Sequence, residues 1–453
     1  MVTVLVEGFD PDQLGLARHL AAAGASVRLA APGPAPKQVR TLAARHGVAV
    51  EPHADLDADP GTADIAYLDV WTPAAARRVT KLRARGARVS CLGDLLLERA
   101  TGPTVGVTGT AGKTTTAELA VQLLRASGQD VDASTTGRLG NLWPTAELLD
   151  RPDPDRLLVL ELTSSHLAFM RESPHTAVIT SFWPDHLELH GSLGAYRAAK
   201  EVIVRGQRPG DTVVVNADDP RAASFAEITP AGRVEASLEH PVERGAFTSD
   251  GMVVVRWDDA ETIVGQVGGL PYAGPQRLNV LAALATALVA GAPPDSLAEA
   301  LASAEPPAHR TRQVALVNGA RVIDDGMAAT PSKTAAALAA YPDSSVVLIA
   351  GGIDELGTGP VHATPEEVEL LEHACDEIAR TVRVAILFGP AAARIAPRLD
   401  ERAVPVRVTT TLDEAIVEAA RLADGAAAIV FSPLYPVALE DRRRFSALAR
   451  AAG

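Results

Sequence analysis

Apolar residues along the chain come in short runs, separated by stretches where they recur every three or four positions. Val2–Glu7 is the first run, and Asp12–Ala23 after it carries a helical spacing. Ser26–Ala31 is the next run, and the alternation continues to Val89–Leu92. A second series opens with Thr104–Thr108. A glycine-rich turn then leads into a helix over Lys113–Ser127, stopped by Gly128. Strands are expected at Leu157–Glu161, Thr176–Ser181 and Thr212–Asn216, and an Ala/Leu-rich helix at Gln276–Ala290 ends at Gly291. A third series places strands at Arg321–Asp324, Ser345–Ala350, Val384–Phe388 and Ala427–Phe431, with helices between them. Alternating strands and helices predict an α/β chain whose mainly parallel sheets are covered on both faces. The proline-rich stretch Glu305-Pro306-Pro307-Ala308 reads as a linker. The expected organisation is a Rossmann-like domain over residues 1–101, a central domain over 102–305 and a second Rossmann-like domain over 306–453. A length of 453 residues suits three domains of roughly 150 each.

Composition narrows the function classes. The chain is 47% hydrophobic and 22% charged, enough for large cores and unlike a disordered tail. Acids outnumber bases 56 to 42, a formal charge of −14, which argues against a nucleic-acid partner. Phosphate ligands are not excluded, since they need only local cations. Cys91 and Cys375 are too few for a disulfide framework or a cysteine zinc site and fit a reducing compartment. No basic leader or long apolar stretch is present, so no signal peptide or membrane span is expected, and the expected location is cytoplasmic. The first strand-to-helix loop, Gly8-Phe9-Asp10-Pro11-Asp12, lacks G-x-G-x-x-G, so a nicotinamide or flavin cofactor is not expected.

The densest chemical signal is Gly106-Val107-Thr108-Gly109-Thr110-Ala111-Gly112-Lys113-Thr114-Thr115. Backbone N–H groups and a helix N-terminus can cradle phosphates there. Lys113 can reach the terminal phosphates, and the Thr114 hydroxyl can bind Mg²⁺. Val107 stands where the usual phosphate loop has its first glycine. The competing reading is an ordinary strand-to-helix loop, which the run G-T-x-G-K-T-T disfavours. Leu157–Glu161 is a strand ending in a carboxylate, placed to hold Mg²⁺ or to precede a cap. Asp185-His186-Leu187-Glu188-Leu189-His190 has two histidines four apart, a zinc-compatible spacing without a third ligand nearby. Lys200, by itself, reads as a solvated helix face. Asn279 is an exposed or capping asparagine, or an adenine contact. Arg310 is a solvated arginine near a linker, or a cation aimed at phosphates.

In this order and spacing, the motifs resemble the Mur ligase family of ATP-dependent amino-acid ligases. They are G-T-x-G-K-T-T, E-L-x-S-S, D-H-L-x-x-H-G-x-x-x-A-Y-x-x-A-K, N-A-D-D-P, L-N-x-x-A-A-L-A, H-R, I-x-D-x-x-A-x-T-P and V-V-L-I-A-G-G, across about residues 104–352. Within the family the pattern is nearest the branch that adds glutamate to UDP-N-acetylmuramoyl-L-alanine in peptidoglycan precursor synthesis. The resemblance implies an N-terminal UDP-substrate domain, a central ATP-binding domain and a C-terminal amino-acid-binding domain. It implies that Gly109, Thr110, Ala111, Gly112, Lys113, Thr114 and Thr115 bind ATP. Thr114, Glu161, His186 and Lys200 would serve Mg²⁺, with Lys200 carbamylated by CO₂. Asn141 would contact the nucleotide or the muramoyl substrate, Asn279 adenine, and Arg310 and Asp325 ATP. Lys113, His186 and Lys200 would be the catalytic set, in a chain acting as a monomer.

This chain departs from the D-glutamate-adding pattern at the amino-acid end. Asp325-Gly326-Met327-Ala328-Ala329 stands where D-S-K-A-T is usual, and Gly351-Gly352-Ile353-Asp354-Glu355 lacks the lysine that follows G-G-x-D. After Ser432-Pro433, Val437 and Arg444 stand at positions of a serine and a phenylalanine. Arg442, Arg443, Arg444 or Lys333 are candidates to replace the lost lysines, although a triple arginine on a helix usually faces solvent. The rebuilt pocket leads to an expectation of L-glutamate, with a downstream epimerase, over D-glutamate. The second strand ends Ala30-Ala31-Pro32 without an acid, so UDP contacts do not transfer. A folate-polyglutamylating ligase, a phosphate-loop NTPase switch without ligase activity and an inactive structural homologue are the rival readings.

Overall fold

The computed structural model describes residues 1–135, 145–270, 272, 274–353 and 365–452. These form a mixed α/β chain with three sheets. Two compact units divide it: Met1–Val267 with Leu281–Ser303, and Gly268–Val280 with Ala304–Gly453. Asn141, Asp354 and Glu355 lie outside the described residues.

The first sheet holds β1 (Thr3–Glu7), β2 (Ser26–Ala31), β3 (Ala49–Pro52), β4 (Ile65–Tyr67) and β5 (Arg88–Ser90) in the order β3-β2-β1-β4-β5, all parallel. The helix Pro11–Ala22 starts where it does because Asp10 accepts from the N–H groups of Asp12 and Gln13, with Pro11 at the first helical position.

The central sheet runs through β6 (Thr104–Thr108), β7 (Val131–Ser134), β8 (Leu157–Glu161), β9 (Thr176–Ile179), β10 (Thr212–Asn216), β11 (Gly232–Ser237), β12 (Gly245–Ser249), β13 (Met252–Trp257) and β14 (Ala260–Gln266). Their order is β14-β13-β12-β11-β10-β9-β6-β8-β7. Only β12–β13 and β13–β14 pair antiparallel. The hairpin between β13 and β14 turns at Asp258 and Asp259, both left-handed at φ 49° and 62°. That twist suits a two-residue hairpin loop. The sequence reading passes over this hairpin because Asp-Asp carries none of the glycine signal such turns usually show. β6 is buried throughout and lies between β8 and β9, so the loop after it opens at a point where strand order reverses.

Within this unit the first and central sheets share a continuous apolar core, with Leu92, Leu95 and Leu96 joining Leu162, Leu167 and Met170. Asp94 is wholly buried in that seam. It accepts from the N–H groups of Arg171 and Glu172 at 2.8 and 2.9 Å and from Ser90 Oγ at 2.7 Å. A buried carboxylate satisfied in this way ties the two layers together at one place.

The second unit carries β15 (Arg312–Val317), β16 (Ala320–Asp324), β17 (Val346–Gly351), β18 (Val382–Phe388), β19 (Val406–Thr409) and β20 (Ala428–Leu434), in the order β15-β16-β20-β17-β18-β19. All pairs but β15–β16 are parallel. Ile323, Leu348 and Val430 face one apolar core, and Val322, Ile349 and Phe431 face the other. A sheet buried on both faces explains why its strands read as unbroken apolar runs.

Cys91 and Cys375 are both buried, and burial pushes their thiols up to about 12 and about 11. No helix among the described residues is long and apolar enough to cross a membrane.

Candidate functional site

The loop after β6 is shaped by two glycines. Gly109 adopts φ 155°, and a Cβ there would lie 2.0 Å from Thr180 Oγ1. Gly112 is left-handed at φ 85° and stands at the N-cap of the helix Lys113–Ala126. No side chain caps that helix, in contrast to the Asp10 cap on the first one. Its first-turn amides and its positive dipole end are therefore directed to whatever anion the loop receives.

Neighbouring elements hold the loop. The Thr110 N–H donates to Ser181 O at 3.0 Å, and the Ala111 N–H donates to Ser181 Oγ at 2.9 Å. Thr110 Oγ1 is 3.1 Å from Tyr196 OH and accepts the Trp183 N–H at 3.1 Å. Lys113 Nζ donates to the carbonyls of Gly109 and Thr110, each at 3.0 Å, so the ammonium lies over the loop it serves.

The helix beginning at Lys113 points Thr114 at the end of β8. Thr114 Oγ1 donates to Glu161 Oε1 at 2.8 Å, and both residues are buried, at 1% and 6% exposure. Lys200, from the helix Leu193–Arg205, is 1% exposed. Its Nζ donates to Gly109 O at 2.9 Å and Thr108 Oγ1 at 3.2 Å, above the Tyr196 ring at 4.9 Å. Lys200 is thus packed under the loop and is no solvated helix face.

His186 is left-handed at φ 53° and half-exposed. Asp185 beside it keeps Oδ2 buried without a hydrogen bond, 3.7 Å from His186 Nε2. His190 goes elsewhere: its Nε2 lies 3.1 Å from Ser164 Oγ and its ring stacks on Trp71 at 6.2 Å.

Among the described residues no group of three or more His, Cys, Asp or Glu side chains stands close enough to cage a metal. Thr114 Oγ1 against the buried Glu161 carboxylate nevertheless gives an oxygen-donor pair of a kind that suits Mg²⁺. That ion takes few protein ligands and keeps its waters. The close packing of Gly109 on Thr180 and Ser181 fixes the loop backbone, and an uncapped helix N-terminus beside it is a setting that suits a nucleotide phosphate.

The second unit holds the other sequence-derived candidates. Asn279 lies in the first turn of the helix Arg277–Val289, partly exposed. Arg310 sits between His309 and Thr311, both left-handed at φ 60° and 50°. Two aspartates strap this turn down. Asp324 Oδ2 is 2.7 Å from His309 Nδ1, and Asp325 Oδ1 accepts from Thr311 N and Oγ1 at 3.1 and 3.0 Å. Asp325 Oδ2 accepts from Ser432 Oγ at 2.9 Å. Burial pushes the Asp325 carboxyl up to about 7, against the hydrogen bonds from Ser432 and Thr311. Val437 is buried in an apolar core with Phe431 and Phe445, and the exposed Arg444 pairs with Asp413.

Sequence reasoning named the loop, Glu161, His186 and Lys200, and these residues of the first unit lie on adjacent elements. It passed over Asp185, although Asp185 stands in the quoted D-H-L run, and Tyr196, which stands in A-Y-x-x-A-K. It also passed over Thr180 and Ser181, whose loop-bracing role has no local signature.

A family model for the Mur ligase middle domain matches residues 107–287. The chain is 32% identical over 443 residues to the UDP-N-acetylmuramoylalanine–D-glutamate ligase of Symbiobacterium thermophilum, covering 94% of this chain and 92% of that protein. It is 34% identical over 444 residues to the protein of that name from Frankia casuarinae, covering 95% and 88%. Solved structures share the fold at lower identity. A pseudomurein peptide ligase type C from Methanothermus fervidus superposes with a TM-score of 0.61 at 18% identity over the whole of both chains. The MurF ligase of Thermotoga maritima in complex with ADP gives 0.59 at 18%, over 98% and 96%. Matching in sequence along nearly its whole length, and in fold, the chain belongs to the Mur ligase family of ATP-dependent, amide-bond-forming ligases.

Proposed function

We propose that this chain joins glutamate to UDP-N-acetylmuramoyl-L-alanine at the expense of ATP, forming ADP and phosphate in peptidoglycan precursor synthesis. The observation that carries the reading is the pairing of Thr114 with Glu161 at 2.8 Å beneath a loop in which Gly109 has no room for a Cβ. Near-full-length similarity to proteins named for glutamate addition supports the amino acid. In this reading residues 1–101 bind the UDP substrate, 102–305 bind ATP and 306–453 bind the amino acid.

The chemistry follows from the poor electrophilicity of a carboxylate. Lys113 and the loop amides hold the ATP phosphates in line with the substrate carboxylate. A carboxylate oxygen attacks the γ-phosphorus, the bond to the β-phosphate oxygen breaks, and ADP leaves. The neutral amine of glutamate then attacks the acyl carbon, phosphate departs with the bridging oxygen, and the amine proton is lost to solvent. Thr114, Glu161 and His186 are the residues that would hold Mg²⁺, which supplies charge neutralisation at the phosphates when bound. Lys200, buried beneath the loop, supports Gly109 and Thr108. Its carbamylation would exchange an ammonium for a carboxylate at that place.

The handedness of glutamate has two readings. The relatives' names carry the D-enantiomer. The altered residues Gly326 and Met327 carry the L-enantiomer, with an epimerase acting afterwards. The test is phosphate release by the purified chain with ATP, Mg²⁺ and UDP-N-acetylmuramoyl-L-alanine, with L-glutamate, D-glutamate or neither, and product mass as the check. Turnover that requires one enantiomer assigns it. Phosphate release indifferent to both rejects glutamate ligation and favours an NTPase switch.

A further inference from the structure

Four cations were candidates to replace the lysines missing from the amino-acid end, and the structure separates the three arginines among them. Arg444 is tied to Asp413, Arg443 is exposed, and Lys333 lies on the helix Pro331–Leu338. Arg442 alone of the triple arginine turns inward. Its Nη2 donates to Val437 O at 2.9 Å, and Nη1 lies against Met327 Sδ. The residue it touches is the one standing at the lysine position of D-S-K-A-T.

Gly326 makes this possible. A Cβ built there would lie 2.9 Å from Phe431 Cε1 and 3.2 Å from Arg442 Cγ, so the arginine stem occupies the space a serine would need. A side chain at residue 326 and the Arg442 stem therefore compete for the same space.

Two arginines and two carboxylates meet at this corner, and the carboxylates are already engaged by other groups. The Met327 N–H donates to His309 O at 3.1 Å, so Arg310 follows directly on the residue that holds the segment Arg442 touches. After burial, the Arg310 charge is the next cause depressing the Arg442 guanidinium below its ordinary range, and Asp324 acts against it. Neither arginine makes an ion pair with a carboxylate among the described residues, and the Nε of each is buried without a hydrogen bond. The two nearby carboxylates are engaged: Asp324 by His309 and Ser446, Asp325 by Thr311 and Ser432. Two like charges with buried, unmet donors call for an oxyanion, and guanidinium forks suit a carboxylate.

We propose that Arg442, beside Arg310, holds a carboxylate of the incoming amino acid and so sets the amino-acid specificity of this chain. The assignment rests on the ligase reading above and gives it a specific residue. A phosphoryl oxygen of ATP is the other oxyanion the pair could take, and the kinetics separate the two.

The test uses the full chain with ATP, Mg²⁺, UDP-N-acetylmuramoyl-L-alanine and whichever glutamate enantiomer the wild type consumes. Arg442→Gln removes the charge and keeps the stem that packs on Gly326. It should raise KM for glutamate about tenfold to a hundredfold, as expected for losing a charge-assisted bond, and leave KM for ATP within about twofold. Met327→Lys added to that variant should recover much of the loss, which a purely structural role would not allow. Arg443→Ala should match the wild type. Arg442→Gln raising KM for ATP with glutamate unmoved would transfer the pair to phosphate and overturn the assignment. Unchanged constants would overturn it too. If Arg442→Gln fails to fold, Arg442→Lys answers by the same two constants. A wild type showing no glutamate-dependent turnover would instead reject the ligase reading.

Discussion

In the functions proposed above, the phosphate loop and the arginine corner each hold an anion, and they are built for it in opposite ways. The loop is contiguous: Gly109 to Thr115 lie within seven residues, and what it offers an anion is mostly backbone N–H groups at an uncapped helix start. The corner is assembled from Arg310, Gly326, Met327 and Arg442, spread over more than a hundred positions, and its capacity is in side chains. A backbone cradle is hard to alter because each change meets sterics, as at Gly109. A side-chain corner can exchange its cation from one element to another while the sheet beneath it stays the same. This difference teaches where a ligase of this family can keep its chemistry and still change its amino acid.

The sharpest way to break the comparison is at the loop. Lys113→Ala should cut turnover about a thousandfold, the scale of losing one preorganised electrostatic partner, and should do so with every amino acid offered. Residual activity near wild type, measured by ADP formation, would remove Lys113 from the phosphate site. Next in size, Glu161→Gln should raise the Mg²⁺ concentration for half-maximal rate about ten- to a hundredfold while KM for glutamate stays put. A Mg²⁺ titration unchanged from wild type would show that the carboxylate only braces Thr114.

Asp325 tests the corner by pH. Its folded carboxyl is pushed up to about 7, above an unfolded value of about 3.9. The folded state therefore binds the proton more tightly. The stabilising contribution is present in full below about pH 4 and is lost as pH rises through about 7. Asp325→Asn should lose this dependence, so its thermal midpoint should exceed that of wild type most at pH 8 and least at pH 5. Parallel midpoint curves would contradict it. The smallest effect is expected from Tyr196→Phe, which removes the hydroxyl beside Thr110 Oγ1. It should cost about 1 kcal/mol of stability and a few-fold in KM for ATP. A change in KM for glutamate instead would blur the division between loop and corner.

The division also explains what could be read from sequence. The loop's glycine turn and following helix were legible because they are written in adjacent residues, and Glu161 because it ends a strand beside that loop. Lys200 was reached only through the family resemblance, since by itself only packing beneath Gly109 separates it from an exposed helix lysine. The triple arginine read as a set of candidate replacements for the lost lysines on a helix face that is usually solvated. Solvation holds for Arg443 and Arg444, but a helix turns about 100° per residue, and Arg442 falls on the side packed against Gly326. No local pattern marks a partnership between residues 326 and 442. The hairpin of β13 and β14 went unread for the opposite reason, because its Asp-Asp turn adopts a left-handed geometry that its composition does not advertise.

The two native thiols have a practical consequence. Maleimides react with thiolates, and Cys91 and Cys375 are buried, with pKa values near 12 and 11. The folded protein is therefore a silent background for thiol labelling. Cysteines introduced at Ile263 and Val408, exposed residues on separate units, would take a fluorophore pair without removing either native residue. Energy transfer between the dyes would then follow the distance between the units through a catalytic cycle.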